Sequence, residues 1–188
     1  MTVVATALAV RAARAADAER IAAIWNHEAR ETFATTDTEP RDAAAQRAWL
    51  AAHSSAHPVL VAATEPGHVT ASHLTATGGQ AHGGQFQIAG YAALTAYRPK
   101  PAFARTVEDS VYVDRAWRGR GVGRLLLSAL LERATGLGHR SVIARITAEN
   151  VASRRLHEGL GFRLVGVEEE IAVKFGRWLD VAVYQRRL

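Results

Sequence analysis

One stretch limits what this chain can fold into: Thr106–Leu131, TVEDSVYVDRAWRGRGVGRLLLSALL. It opens with an alternation that puts Val107, Val111 and Val113 on one side, which predicts a strand over Thr106–Val113. Arg118-Gly119-Arg120-Gly121-Val122-Gly123 follows. Three glycines in five positions cost too much backbone entropy for a strand or a helix interior, so this segment is a loop. From Arg124 onward, Leu125, Leu126, Leu130 and Leu131 fall at helical spacing. A helix that opens directly out of a glycine loop aims its unpaired N–H groups, and the positive end of its dipole, into that loop. Bare glycines let an anion approach the main chain, and Arg118, Arg120 and Arg124 add charge around it. The predicted ligand carries a phosphate or pyrophosphate. No Gly-Lys-Ser/Thr follows, so this is not a Walker loop, and the spacing does not fit a dinucleotide Gly-x-Gly-x-x-Gly at the start of a βαβ unit. The loop alone also permits a plainer reading, a glycine turn that merely starts a helix.

At 188 residues the chain is expected to be one domain, 1–188, large enough to bury its own core. Apolar residues make up 48% and charged residues 22%, as in ordinary soluble globular proteins. There is no cysteine, which excludes disulfides, thiolate metal sites and a cysteine nucleophile. No run approaches the roughly 18 apolar residues of a membrane helix, so no membrane partner is expected. The opening MTVVATALAVRAARAA has an apolar run, but Arg11 and Arg14 come after it, the reverse of signal-peptide order. That run reads as a first strand in a cytoplasmic protein. A net charge of +5 raises nucleic acid as a partner. Lys100 and Lys174 are the only lysines, however, and the arginines are scattered rather than run together. Composition bias of an alanine- and arginine-rich chain accounts for the charge, and no nucleic-acid partner is expected.

In chain order, Ala7–Arg11 is a strand and Ala15–His27 a helix with Asp17 and Glu19 in its first turn, where the dipole favours acids. Asp42–His53 is a second helix, with Trp49 and Leu50 facing inward, and Pro58–Ala63 a short apolar strand. Residues 64–85, TEPGHVTASHLTATGGQAHGGQ, hold almost no core residues and read as an exposed loop insertion. The spacing of His68, His73 and His82 there suits no standard metal pattern, and no metal is expected. Phe86–Thr95 is a strand, followed by a turn over Tyr97–Ala104. After the central strand and its helix, which ends near Gly136-Leu137-Gly138, come a strand over Ser141–Thr147 and a short helix over Ser153–Glu158. A strand to about Val173, a turn at Phe175-Gly176-Arg177 and a final strand over Trp178–Arg186 complete the chain. The order β-α-α-β-β-β-α-β-α-β-β sets helix crossovers beside antiparallel hairpins, so the sheet is mixed and the class is α/β (α+β mixed).

Two motifs point to a family. The glycine loop resembles Gln/Arg-x-x-Gly-x-Gly/Ala, the acyl-CoA motif of GNAT N-acetyltransferases. Asn150, Ser153, Leu156, Gly161 and Phe162 resemble the same family's Asn-x-x-Ser/Ala-x-x-Leu-Tyr-x-x-x-Gly-Phe, with His157 where tyrosine is usual. ARAADAERIAAIWNHEARETFATTDTEP, TVEDSVYV, RLHEGLGF and GRWLDVAVYQRRL further resemble the phosphinothricin and methionine sulfone/sulfoximine acetyltransferases. The resemblance spans nearly the whole chain except residues 64–85. It implies the GNAT fold, a twisted mixed seven-stranded sheet flanked by about four helices.

The implied activity is acetyl transfer from acetyl-CoA, the co-substrate, to the amine of a small amino-acid-like acceptor. A homodimer is compatible with this resemblance. At neutral pH an α-amine (pKa ~8) is mostly protonated, so a base is needed. By resemblance Glu108 is that base, acting through water; a strand-end glutamate facing solvent is the alternative. Val111, Tyr112 and Val113 would pair their backbone with the pantetheine arm, with the Val111 N–H meeting the thioester oxygen. Arg118, Gly119, Arg120, Gly121, Val122, Gly123 and Arg124 would hold the pyrophosphate, and Asn150 and Ser153 the pantetheine side. His157 is either the general acid for the leaving thiolate or a packed helix histidine. Arg98 and Lys100, just before the central strand, and Phe33 are assigned to the acceptor, Arg98 and Lys100 as partners for its acid group. A protein N-terminal acetyltransferase and a non-catalytic CoA-binding module are the other functions the sequence admits.

Overall fold

The computed structural model describes residues 7–64 and 87–188. The expected loop 64–85 therefore lies outside the described residues apart from Thr64, which is the buried last residue of a strand. Phe86 and the three histidines of that loop are also outside them.

The elements follow the expected order. They are β1 (Leu8–Ala12), α1 (Ala18–Glu31, led by a 3-10 turn at Ala15–Asp17), α2 (Ala43–Ala52) and β2 (Val59–Thr64). Then come β3 (Ile88–Ala96), β4 (Thr106–Val113), α3 (Val122–Gly136) and β5 (Ser141–Thr147), and last α4 (Val151–Glu158), β6 (Arg163–Lys174) and β7 (Arg177–Arg187). The α1 helix runs four residues past the expected His27, because Glu28 and Ala29 continue its buried stripe. The α2 helix is capped by Asp42, whose carboxylate accepts from the Ala45 N–H at 2.7 Å.

The strands form one seven-stranded sheet in the order β1-β2-β3-β4-β5-β7-β6. Every neighbouring pair is antiparallel except β4 and β5, which are parallel and joined across α3. The β6–β7 hairpin closes through Phe175 (φ 50°) and Gly176 (φ 74°), two consecutive left-handed residues of the kind that matches strand twist in a tight hairpin.

Helices cover both faces. On one, Leu126, Leu127, Leu130 and Leu131 of α3 pack over Leu60, Ala62, Ala92, Leu94, Val107 and Val142. On the other, Ile21 and Ile24 of α1 pack over Val59, Val61, Ala63, Ile88 and Ala93. The α3 stripe is shifted by one position from the sequence expectation: Leu127 is buried, whereas Leu125 lies at the stripe's edge, 39% exposed. Covered on both sides, β2 is buried along its whole length, which is why its sequence is a continuous apolar run without alternation.

Candidate active site

The site is built where β4 and β5 part. They pair only over Thr106–Glu108 with Ser141–Ile143, and residues 109–113 then have no partner on that side. The main-chain direction there follows from one contact. The Asp114 N–H donates to the Ala89 carbonyl at 2.9 Å, toward β3. Main-chain groups of a strand alternate sides, so Tyr112 and Ser110 also face β3, while Asp109, Val111 and Val113 face the gap. The Val113 carbonyl, which accepts from Arg118 Nε at 3.2 Å, shows the same direction. Side chains alternate as well: Val107, Val111 and Val113 pack toward α3, and Tyr112 packs toward α1.

Beyond β4, Asp114 caps a 3-10 turn at Arg115–Trp117, and the glycine loop follows. Gly119 (φ 73°) and Gly121 (φ 80°) are left-handed, and nothing lies within 4 Å of where a Cβ would stand. Their need for glycine is thus conformational, and the space beside the loop is open. Gly121 is the N-cap of α3 and brings no side-chain cap, so the first-turn N–H groups face that space. Gly123 has a different reason for being bare: its Cβ would stand 3.1 Å from Leu156 of α4. Of the loop cations, Arg120 lies over the Trp117 ring and Arg124 donates to the Gly159 carbonyl at 3.3 Å. Arg118 departs from the sequence expectation. Its guanidinium pairs with the buried carboxylate of Glu28 in α1, so its charge is neutralised and it anchors the loop instead of facing an anion.

The α4 residues also differ from expectation. Asn150 Oδ1 accepts from the Ser153 N–H at 3.1 Å and caps α4, so its amide is held by the helix it starts. His157 is 3% exposed, with both ring nitrogens engaged. Nδ1 faces the Ser153 carbonyl at 2.7 Å and Nε2 faces Asp109 Oδ2 at 3.0 Å. Burial alone would lower the imidazole pKa, but the hydrogen bond and charge of Asp109, with the Ser153 carbonyl, outweigh it and hold the value above ordinary. With a protein acceptor facing each nitrogen, the ring ties α4 to β4 where the gap opens. It has no free nitrogen to hand a proton to a thiolate, and the geometry favours the packed-histidine reading over the general acid.

On the α1 face a cavity of about 370 Å³ opens beside β4. Glu108, Tyr112, Tyr91, Trp25, Arg41 and Arg145 are among its lining residues. Burial pushes the Glu108 carboxyl up from its ordinary value; the Arg145 charge works against that, and Asp109 and Glu168 add to it. Burial also raises the phenols of Tyr91 and Tyr112, which therefore stay neutral donors. The wall formed by Thr35, Thr36 and Asp37 is fastened from below by Lys174. Its buried ammonium donates to the carbonyls of Thr35 (2.8 Å) and Glu28 (3.1 Å), at the C-terminal turn of α1 where a cation is favoured. Burial lowers the Lys174 pKa, against the attraction of Asp37 and Glu28.

The three acceptor residues expected from sequence do not line this cavity. Arg98 is exposed and lies over Tyr97 and Phe103, and Lys100 is exposed before the 3-10 turn Pro101–Phe103. Phe33 packs edge-on against Phe175, with Arg177 over its ring. The cavity's cations are instead Arg41 and Arg145. Nothing local in EPRD marks Arg41, since the fold alone brings it to the cavity. Asp109 did carry a signal: an acid in register with Val107 and Val111 on a core-facing strand side must have a buried partner.

The split strand pair, with a glycine loop and a helix N-terminus at its mouth, is where the acyl-CoA motif expected from the sequence falls. The model of the acetyltransferase (GNAT) family matches residues 21–162. Phosphinothricin N-acetyltransferase of Streptomyces coelicolor is 37% identical over 172 residues, covering 92% of this chain and 91% of that protein. The L-methionine sulfoximine/L-methionine sulfone acetyltransferase of Pseudomonas paraeruginosa is 37% identical over 180 residues, covering 95% and 94%. A GNAT superfamily phosphinothricin acetyltransferase from Sinorhizobium meliloti, solved in complex with acetyl-CoA, superposes with a TM-score of 0.81 at 33% identity, covering 96% of this chain and 88% of that one. The chain belongs to the GNAT acetyltransferase family.

Proposed function

We propose that this protein transfers the acetyl group of acetyl-CoA to the amine of a small amino-acid-like acceptor, with Glu108 as general base. One observation carries the reading. Glu108 is the last β4 residue paired to β5, so it stands at the point of the split, and its side chain lines the cavity. The main chain that would take the pantetheine and the group that would take a proton thus meet at one residue.

Acetyl-CoA supplies an activated acyl group as its thioester. The gap-facing main chain of Val111 and Val113 suits the amides of an extended arm, and the loop from Gly119 to Gly123 with Arg120 and Arg124 suits a pyrophosphate. Glu108 removes the ammonium proton of the acceptor, directly or through a water. Its raised pKa suits this task, because a base works best when its pKa lies near the working pH. The Val111 N–H donates to the oxygen on which negative charge grows. The nitrogen loses a second proton as the amide forms, which balances the one the departing thiolate gains, so no buried acid is required.

Free thiol released from acetyl-CoA over a panel of amino acids tests the reading. Glu108→Gln is expected to lower kcat by ~10²–10⁴-fold and leave the acetyl-CoA dissociation constant unchanged. The acidic limb of wild-type kcat/KM is expected above the ordinary glutamate range, the direction in which burial moves Glu108. A Glu108→Gln rate equal to wild type at neutral pH refutes the base assignment, and an absence of thiol release with every amine refutes the activity.

A further inference from the structure

Of the two cations that line the cavity, one enters no ion pair. Arg145 is paired to Glu168 through both terminal nitrogens. Arg41 enters no ion pair among the described residues. Its guanidinium lies 3.9 Å from the Trp25 ring centroid and 5.1 Å from that of Trp49. Contact through the face of a guanidinium leaves its edge N–H groups unused. One of them, Nη1, is buried without an acceptor. So are Trp25 Nε1 and the Tyr91 hydroxyl, in side chains that are 5% and 1% exposed. A buried donor is costly to leave unsatisfied. All three belong to residues that line the same cavity.

The backbone of Arg41 is fixed for this position. Its N–H donates to Asn26 Oδ1 and its carbonyl accepts from Asn26 Nδ2, both at 2.8 Å, which clamps the turn onto α1. Asp37 lines the same cavity, but its carboxylate accepts from the Thr35 hydroxyl at 3.0 Å instead of pairing with Arg41. Glu28 on the same side is already neutralised by Arg118.

Arg41 connects to β4 through a row of rings. Trp25, beneath its guanidinium, is 5.2 Å from Tyr112, and Tyr112 is stacked 5.3 Å from Tyr91. Glu108 is four residues back along β4, about 13 Å of strand. An α-carboxylate, two bonds from the reacting nitrogen, stays near Glu108, whereas the end of an acceptor side chain reaches toward Tyr91 and Tyr112.

We infer that Arg41, with Trp25 Nε1 and the Tyr91 hydroxyl, anchors an oxyanion at the far end of the acceptor, so that the enzyme selects amino acids whose side chain ends in a phosphinate or carboxylate over those with a neutral end. This rests on the acetyl-transfer reading for the position of the amine. A group with several acceptor oxygens satisfies all three donors and the charge together, whereas a neutral sulfone satisfies donors only.

The test is calorimetric titration of the protein saturated with free CoA, which cannot turn over, with phosphinothricin and with methionine sulfone, alongside thiol release for both. Phosphinothricin is expected to bind at least ~10-fold tighter than methionine sulfone, since hydrogen bonds to charged groups are the stronger ones. In Arg41→Leu the ratio is expected to fall to about one, and in Arg41→Lys, which keeps the charge, to lie between. Unchanged acetyl-CoA affinity certifies that each variant is folded; if Arg41→Leu fails that check, the lysine variant carries the comparison. Equal wild-type affinities, or a ratio unmoved in a folded Arg41 variant, overturn the subsite and leave the acetyl-transfer reading standing. The expected preference without any thiol release keeps the subsite and overturns that reading.

Discussion

Loss of His157 is expected to be costly for stability, by an amount the Asp109 contact sets. The pair is buried on both sides, with side chains 3% and 1% exposed. His157→Leu fills similar space but leaves the Asp109 carboxylate in the wedge between β4 and α4 with neither oxygen partnered, since Oδ1 has no partner to begin with. Breaking a buried pair by removing one member costs about 3–5 kcal/mol. In a domain of this size each kcal/mol moves Tm by roughly 2–4 °C, so the variant is expected to melt roughly 6–20 °C lower. Asp109→Leu with His157→Leu is expected to recover most of that loss, because the double variant leaves no orphaned charge.

The pH dependence supplies a second readout. The folded imidazole holds its proton above the ordinary histidine value, so between the unfolded and folded values the native state binds more protons than the unfolded state. Stability therefore falls with rising pH in that window. The contribution is complete below about 6.5, the unfolded value, and is lost as pH rises through the folded one. Asp109→Asn removes the charge but lets a neutral imidazole accept from the new amide, so it is expected to flatten this slope at a small cost near neutrality. Urea denaturation from pH 5 to 9 measures both. A His157→Leu loss under about 1 kcal/mol, or an equal slope in wild type and Asp109→Asn, refutes the argument.

Gly121→Asp is expected to abolish acetyl-CoA binding while Gly121→Ala retains it. Both variants bear the strain of a side chain at φ 80°, but only one places a carboxylate at the N-terminus of α3, and calorimetry separates strain from charge. Lys174→Met leaves the Thr35 and Glu28 carbonyls without their buried donor, so the cavity wall loosens. The acceptor KM is expected to rise several-fold while the acetyl-CoA dissociation constant stays fixed, and steady-state kinetics with calorimetry distinguish the two.

The parts of this molecule that were legible in its sequence are those set by neighbours along the chain. The glycine loop announced itself because Gly119 and Gly121 must adopt conformations other residues resist, and the alternation of Thr106–Val113 required one face toward the core. Every element appeared in the expected order for the same reason. The insertion of β7 between β5 and β6 was not legible, since it depends on which strand edge is free after the hairpin forms. Asn150 shows the same limit on a smaller scale. Its motif position suggested a ligand contact, yet a strand-end asparagine three residues before a free N–H caps the helix first. Arg98, Lys100 and Arg41 were indistinguishable as arginines or lysines in polar turns, and only the packing of α1 and α2 against β3 and β4 decides that Arg41 reaches the cavity.

Glu28 carries this argument furthest. In the sequence it is one acid just past the expected end of a helix, with nothing to separate it from Glu19 or Glu31. In the fold its carboxylate receives Arg118 from the cofactor loop and the Thr32 hydroxyl at 2.7 Å, while its carbonyl receives Lys174. Lys174 in turn fixes Thr35, whose hydroxyl accepts from the Asp37 N–H at 3.2 Å. The loop proposed to hold the cofactor and the wall of the acceptor cavity therefore end on the same residue. A buried carboxylate is expensive to leave unpaired, so Arg118 stays with Glu28 and is withheld from the anion its motif position suggests. The consequence is a division of labour within one basic loop. Main-chain N–H groups with Arg120 and Arg124 are left for the proposed ligand, and Arg118 holds the two halves of the site in register.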